Sequence, residues 1–189
     1  MKVRDSGMPE QVYWESLFDI SGVLEKLKVD QHVGDAVEVG CGYGTFTLPV
    51  AQRIRGTLHS FDIEPEMVQL TRVRAAAAGI ENLRLAVRDV IADGFDLPPK
   101  SADAVLLFNI LHAENPIEML RAAGEITRVG GRVLAIHWRS DMPTPRGPDL
   151  ALRPRAEQIA SWASSLGLQP EPSQLLPPWH FGIVLHRRP

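Results

Sequence analysis

Three glycines at alternate positions, Gly40, Gly42 and Gly44, follow the apolar run Ala36-Val37-Glu38-Val39 and open into an amphipathic stretch. Residues without a Cβ take positive φ freely and let another molecule lie against the backbone, so the pattern reads as strand, tight turn and helix around a bound ligand. Three acids accompany the turn. Glu38 lies inside the apolar strand, where a carboxylate is costly without a cationic or hydrogen-bonding partner. Asp62 ends a second short strand, 18 positions after Gly44, where an acid can take the diol of an unphosphorylated ribose; capping the helix that starts at Glu64 is its structural alternative. Asp89 ends a third strand, where an adenine edge could be read. The turn carries no Lys or Arg, so its acidic lining suits an ammonium or sulfonium ligand better than a pyrophosphate. The glycines alone would serve nicotinamide, flavin and other nucleotide sites equally.

The elements that must hold these residues alternate along the chain. Strands read at Ala36 to Val39, Leu58 to Asp62, Leu83 to Val87, Ala104 to Phe108 and Arg132 to Ile136, with helices at Phe46 to Arg55, Glu64 to Ala78 and Pro116 to Val129 between them. Thr45 is a candidate cap for the first of these, and Gly79 closes the second as a C′ glycine. Such alternation calls for a doubly wound α/β fold, a parallel sheet with helices on both faces. Arg139 to Pro154 is proline-rich and reads as an irregular loop. Ala156 to Leu166 is a last helix, and Leu168 to Leu176 and Phe181 to His186 are two final strands. Residues 9 to 29 read as two helices, Glu10 to Asp19 and Gly22 to Lys28 capped by Ser21, which either pack on the domain or form a lid over the turn.

A chain of 189 residues, 44% hydrophobic and 23% charged, fits a single domain spanning 1–189, with 1–34 as a helical extension. A net charge of -3 gives no general attraction to nucleic acid or anionic membranes. The first residues, Met1 to Pro9, carry no apolar core of a signal peptide, and no segment reaches the ~18 apolar residues that span a bilayer, so the expected place is the cytoplasm. Cys41 is the single cysteine, and the six histidines are too dispersed to mark a metal site.

These motifs together resemble the class I S-adenosylmethionine (SAM)-dependent methyltransferases over nearly the whole chain after residue 34. Glu38-Val39-Gly40-Cys41-Gly42-Tyr43-Gly44 is similar to that family's first motif and Phe61-Asp62-Ile63 to its ribose-binding strand end. Val87-Arg88-Asp89-Val90 matches its adenine site, and Asp103-Ala104-Val105-Leu106-Leu107-Phe108-Asn109-Ile110-Leu111-His112 its fourth strand and following turn. The resemblance implies a seven-stranded, mostly parallel sheet whose last strand is antiparallel and inserted between the fifth and sixth. It also implies SAM as cofactor. Gly40, Gly42 and Gly44 would lie against its methionine and ribose, Glu38 would hold its ammonium, and Asp62 would take the ribose with Ile63 packed on adenine. Asp89 and the Val90 amide would read adenine, and Asn109 and Ile110 would border the methionine part.

Methyl transfer is an in-line displacement in which the protein mainly aligns donor and acceptor. Where the acceptor must lose a proton, His112 and His137, each just after a strand end, are the candidate bases. Tyr13, Trp14 and Trp138 are candidates for an aromatic acceptor pocket, while Trp179, held between Pro178 and His180, reads as packing. A small-molecule acceptor is expected, because no Asn/Asp-Pro-Pro-Tyr/Phe-type motif follows the fourth strand; nucleic acid or protein acceptors and a homodimer stay open. Two alternatives stand beside this: a SAM-binding partner without catalysis, and a nicotinamide-dependent oxidoreductase. The second is disfavoured by G-x-G-x-G spacing and by Glu38.

Overall fold

Five strands run parallel through the centre of one sheet: β1 (Ala36–Val39), β2 (Leu58–Asp62), β3 (Leu83–Val87), β4 (Ala102–Phe108) and β5 (Thr127–Trp138). They belong to a computed structural model that describes residues 8–189, so the expectation about a leader at residues 1–7 lies outside the described residues. Three further strands, β6 (Leu168–Pro170), β7 (Gln174–Leu176) and β8 (His180–Arg187), complete the sheet in the order β3-β2-β1-β4-β5-β8-β6, with β7 also paired to β8. As the resemblance implies, β8 is antiparallel and lies between β5 and β6. The strand count differs from the expectation. Leu168 to Leu176, expected as one strand, divides into β6 and β7, because Pro170 and Pro172 have no N–H to give to a ladder.

Seven helices accompany the sheet among the described residues: α1 (Gln11–Glu15), α2 (Ile20–Lys26), α3 (Thr47–Arg53), α4 (Pro65–Ala77), α5 (Val90–Asp93), α6 (Pro116–Ile126) and α7 (Ala156–Ser165). Successive strand residues face opposite layers. Thus Val37, Val39, Val105 and Leu107 pack with Leu120 of α6 and Ile159 of α7. Ala36, Ala104 and Leu106 pack with Leu24 of α2 and Val50 of α3 on the other face. Strands buried from both sides explain the continuous apolar run of β4.

Several helix and strand ends depart from the expectation for local reasons. The first helix stops at Glu15 because the Ser16 hydroxyl donates to the Tyr13 carbonyl (2.7 Å) and Leu17 turns into the core. Asp19, rather than Ser21, caps α2 by accepting from the Gly22 amide at 3.0 Å. Thr45 does not cap α3, which begins at Thr47 after Phe46 with no side-chain cap. Gly130 and Gly131, which lie between the expected helix ending at Val129 and the expected strand from Arg132, fall inside β5 where its register against β4 shifts.

Beyond β1 the chain builds β2 and β3 on one side, then crosses to β4 and β5 on the other. Ligands in open α/β sheets bind where the strand order reverses in this way, outside the carboxyl ends of the strands. Here that crevice lies beyond Val39 and Phe108, between the glycine turn and Asn109.

Candidate active site

A cavity of about 550 Å³ occupies this crevice. Its floor is the end of β1 with Gly40 and Gly42, and one end is formed by Asp62, Ile63, Asp89 and Val90. Asn109, Ile110 and His112 form the β4 side. Met8, Pro9 and Trp14 come from the N-terminal segment and Arg146 to Asp149 from the proline-rich loop.

Glu38 is 2% exposed yet belongs to the cavity wall. Its Oε2 accepts from the Thr47 hydroxyl of α3 and the Ser60 hydroxyl of β2, both at 2.6 Å. Ser60 arrives there because it pairs directly with Glu38 in the parallel register of β1 and β2, so the two side chains share a face. No ion pair to a cation forms at this carboxylate among the described residues. Burial pushes its pKa up to about 7 against the opposing pull of the two hydroxyls, with the nearby Asp62 charge adding to the rise. The site is therefore missing positive charge. Two further acceptor atoms in the wall, Thr45 Oγ1 and Asn109 Oδ1, are buried without a hydrogen-bond partner.

The glycines divide their work. Gly40 has φ +86, and a Cβ there would meet the Ile110 side chain at 3.4 Å, narrowing the passage between β1 and β4. Gly42 has φ +49; its amide donates to Asp62 Oδ2 (2.9 Å) and its carbonyl accepts from the Thr71 hydroxyl (2.9 Å). Gly44, in contrast, is absent from the cavity wall. A Cβ there would lie 2.6 Å from Leu48 Cδ1, so this glycine serves the packing of α3 and α4 behind the turn. Asp62 uses its other oxygen to accept from the Glu64 amide at 3.0 Å. Asp89 caps α5, a helix missed by the sequence reading, by accepting from Ile91 and Ala92 amides. Ile63 leaves 40% of its surface exposed within the wall, an apolar face free for a ring.

Trp14 and Trp138 both line the cavity, with Phe46 and Phe108. Trp14 packs edge-on to Trp138 at 6.1 Å. Tyr13 is not part of this wall; it is 43% exposed on α1. Instead, Tyr43 ties the N-terminal segment down by donating to the Pro9 carbonyl at 2.7 Å, and Arg74 bridges Glu15 (2.9 Å) to the glycine turn through the Tyr43 carbonyl. The proline-rich loop is held from within. Arg153, 8% exposed, donates to the carbonyls of Pro148 (2.7 Å), Arg139 (2.8 Å) and Arg146 (3.3 Å). Gly147 at φ +106 lies on the indole of Trp138, where a Cβ would approach Cγ to 2.8 Å.

The two candidate bases are placed unequally. His112 lines the cavity, whereas His137 is fully buried behind it and outside the wall, so it cannot touch an acceptor directly. Their rings meet, His112 Nδ1 lying 3.3 Å from His137 Nε2. Sequence spacing had no means of pairing a residue of the turn after β4 with one inside β5.

A methyltransferase-domain family model matches residues 36–131, which spans the glycine turn, Asp62, Asp89 and the β4 turn. The chain belongs to this methyltransferase family. Its fold agrees with solved SAM-dependent methyltransferases. One from Aquifex aeolicus superimposes with a TM-score of 0.79 at 17% identity over 89% of each chain. An O-methyltransferase family protein from Burkholderia thailandensis gives 0.74 at 19% identity over 89% of this chain and 55% of its own. In sequence, the methyltransferase domain is 30% identical over 100 residues to aklanonic acid methyltransferase DauC of Streptomyces sp. (strain C5), covering 51% of this chain and 44% of that one. The chain spans about half the length of the curated relatives it matches.

SAM, the cofactor of this family, fits the methyltransferase site on the structure's own terms. The wall offers a desolvated carboxylate and two buried acceptor oxygens without a partner, groups that would suit an ammonium and a sulfonium. No helix of the described residues is long and apolar enough to cross a membrane.

Proposed function

We propose that this domain transfers a methyl group from SAM to a small, largely apolar acceptor. The observation that carries the proposal is Glu38, a buried carboxylate in the cavity wall whose Oε2 is satisfied by two hydroxyls while no cation among the described residues offsets its charge. Oε1 is left for the ammonium of the methionine moiety, with Thr45 Oγ1 and Asn109 Oδ1 as further acceptors. Asp62 takes the ribose with the lone pairs not used on Gly42 and Glu64, Ile63 covers adenine, and Asp89 with the Val90 amide reads its edge. Bound SAM supplies a methyl on positively charged sulfur that an acceptor atom displaces in line; the chain holds, orients and dehydrates the partners.

The acceptor end supports a small molecule. It is enclosed by Trp14, Trp138, Phe46 and Phe108 and roofed by the loop that Arg153 holds, a setting that suits a planar, mostly apolar compound. The relative named for aklanonic acid is consistent with that class. Residues 8–15 act as the near side of a lid, since Met8, Pro9 and Trp14 meet the cavity. A cytoplasmic location suits an enzyme whose lone cysteine, Cys41, is buried and free.

Incubating the full chain with methyl-radiolabelled SAM and a panel of planar phenols, aromatic acids and amines tests the proposal. Label appearing in an organic-extractable product supports it. SAM binding with no transfer to any acceptor would instead favour a SAM-binding partner protein.

A further inference from the structure

We infer that the acceptor is a hydroxyl compound whose proton is taken by His112, and that His137 is a positioning residue that fixes His112 in the tautomer able to take it. This rests on the proposed methyl transfer and specifies the chemistry of its acceptor.

The inference follows from a chain of hydrogen bonds with one consistent direction. His137 Nδ1 lies 3.2 Å from the Trp138 carbonyl oxygen. A carbonyl only accepts, so Nδ1 must carry a hydrogen. His137 is fully buried, and burial, with His112 beside it, pushes its pKa down to about 3, so it holds a single proton and its Nε2 is a bare lone pair. His112 Nδ1, 3.3 Å from that lone pair, must therefore be the donor. A neutral His112 with hydrogen on Nδ1 has an unprotonated Nε2, and Nε2 is the ring nitrogen left to the cavity that His112 lines. Both distances are at the long end for hydrogen bonds.

The surroundings keep His112 neutral. Burial first, and Arg153 second, lower its pKa below 6.5. The titratable or charged groups around it are His137 from β5, Arg153 from the proline-rich loop, Glu114 on its own turn, and Arg146 and Asp149 across the cavity. A base of this kind is idle if the acceptor is already a carboxylate and useful if it is a phenol or enol. The acceptor oxygen gives its proton to Nε2 and its electron pair to the methyl carbon, while the carbon–sulfur bond breaks towards sulfur, leaving the neutral thioether. Imidazolium at His112 then releases its proton to water.

Long-range proton–nitrogen correlation spectra of the histidine-labelled full chain at neutral pH read both tautomers. Nδ1–H on both His112 and His137 is expected; Nε2–H on His112 overturns the inference. As a kinetic arm, turnover is measured on 2-naphthol and on 2-naphthoate. His137→Leu is expected to lower kcat on 2-naphthol about 100-fold at unchanged SAM affinity, and His137→Gln, whose amide oxygen accepts in place of Nε2, to recover most of it. Equal losses in the two variants, or preferential methylation of 2-naphthoate, contradict it. If neither compound is methylated, the tautomers alone decide. Failure to bind SAM in calorimetry would sink the methyl-transfer reading while leaving the tautomers readable.

Discussion

Asp62 holds the glycine turn in shape: its Oδ2 accepts from the Gly42 amide at 2.9 Å. The same carboxylate fixes the exit of β2 through the Glu64 amide, so one side chain braces both the glycine turn and the β2 edge of the cavity. A ligand bound there would meet a carboxylate already oriented by two backbone donors, which limits the ordering cost of binding.

Asp62→Ala removes the brace and the proposed ribose acceptor together. SAM affinity measured by calorimetry is expected to fall 10-fold to 100-fold, the range for losing hydrogen bonds to a charged group. An unchanged Kd would show that the ribose lies elsewhere.

Glu38 gives the site a defined pH response. Its pKa in the folded, ligand-free protein is raised to about 7 by burial, so the folded state holds the proton more tightly than the unfolded chain does. The resulting stabilisation is complete below the ordinary carboxylate range and is lost as pH rises through about 7, amounting to roughly 3 kcal/mol over the window. Denaturant unfolding of Glu38→Gln, which cannot ionise, is expected to lack that decline. A cationic ligand needs the carboxylate, so SAM affinity moves the opposite way and tightens about 10-fold between roughly pH 6 and pH 8. Calorimetry in buffers of different ionisation enthalpy would register proton release near pH 7. PH-independent affinity would detach Glu38 from the ammonium.

Gly147 and Trp138 set the height of the roof. With φ +106 and the indole 2.8 Å from any added Cβ, Gly147→Ala must lift the loop or turn the ring. A loss of about 1–3 kcal/mol in stability is expected, with altered tryptophan fluorescence and a raised KM for the acceptor. Wild-type fluorescence and kinetics in this variant would mean the loop stands off the indole.

Arg153 keeps the loop closed through three carbonyls. Arg153→Met leaves those carbonyls unpaired near the cavity. Acceptor KM is expected to rise at least 10-fold while SAM Kd changes less than twofold, because the proposed cofactor residues lie on and after β1 to β4, away from this loop. Equal effects on both ligands would place Arg153 in the cofactor site.

Much of this was legible in the chain. The limits of β2 and β3 agree with the expected Leu58 to Asp62 and Leu83 to Val87, because turn- and helix-forming residues close in on both sides of these short segments. The antiparallel β8 was expected in its place. What the chain concealed depends on register and burial. Ser60 and Thr47 look like ordinary polar residues until the β1–β2 pairing and the start of α3 bring them to Glu38. The demand for them was visible, since a carboxylate in an apolar strand needs partners. Arg153 sits in a loop without periodicity, so nothing in its spacing announced that it would be buried. His137 looked like a second cavity residue by its place at a strand end, but it lies inside β5, fully buried and beside Phe181 of the neighbouring strand. Tyr13 and Gly44 carry the right residue types for a site and face other surroundings.

The cavity is expected to take SAM, with Glu38 holding its ammonium. Isothermal titration of the full chain with SAM and, separately, with NAD tests it most directly. Micromolar binding of SAM and none of NAD is the expected result; binding of NAD without SAM would contradict it.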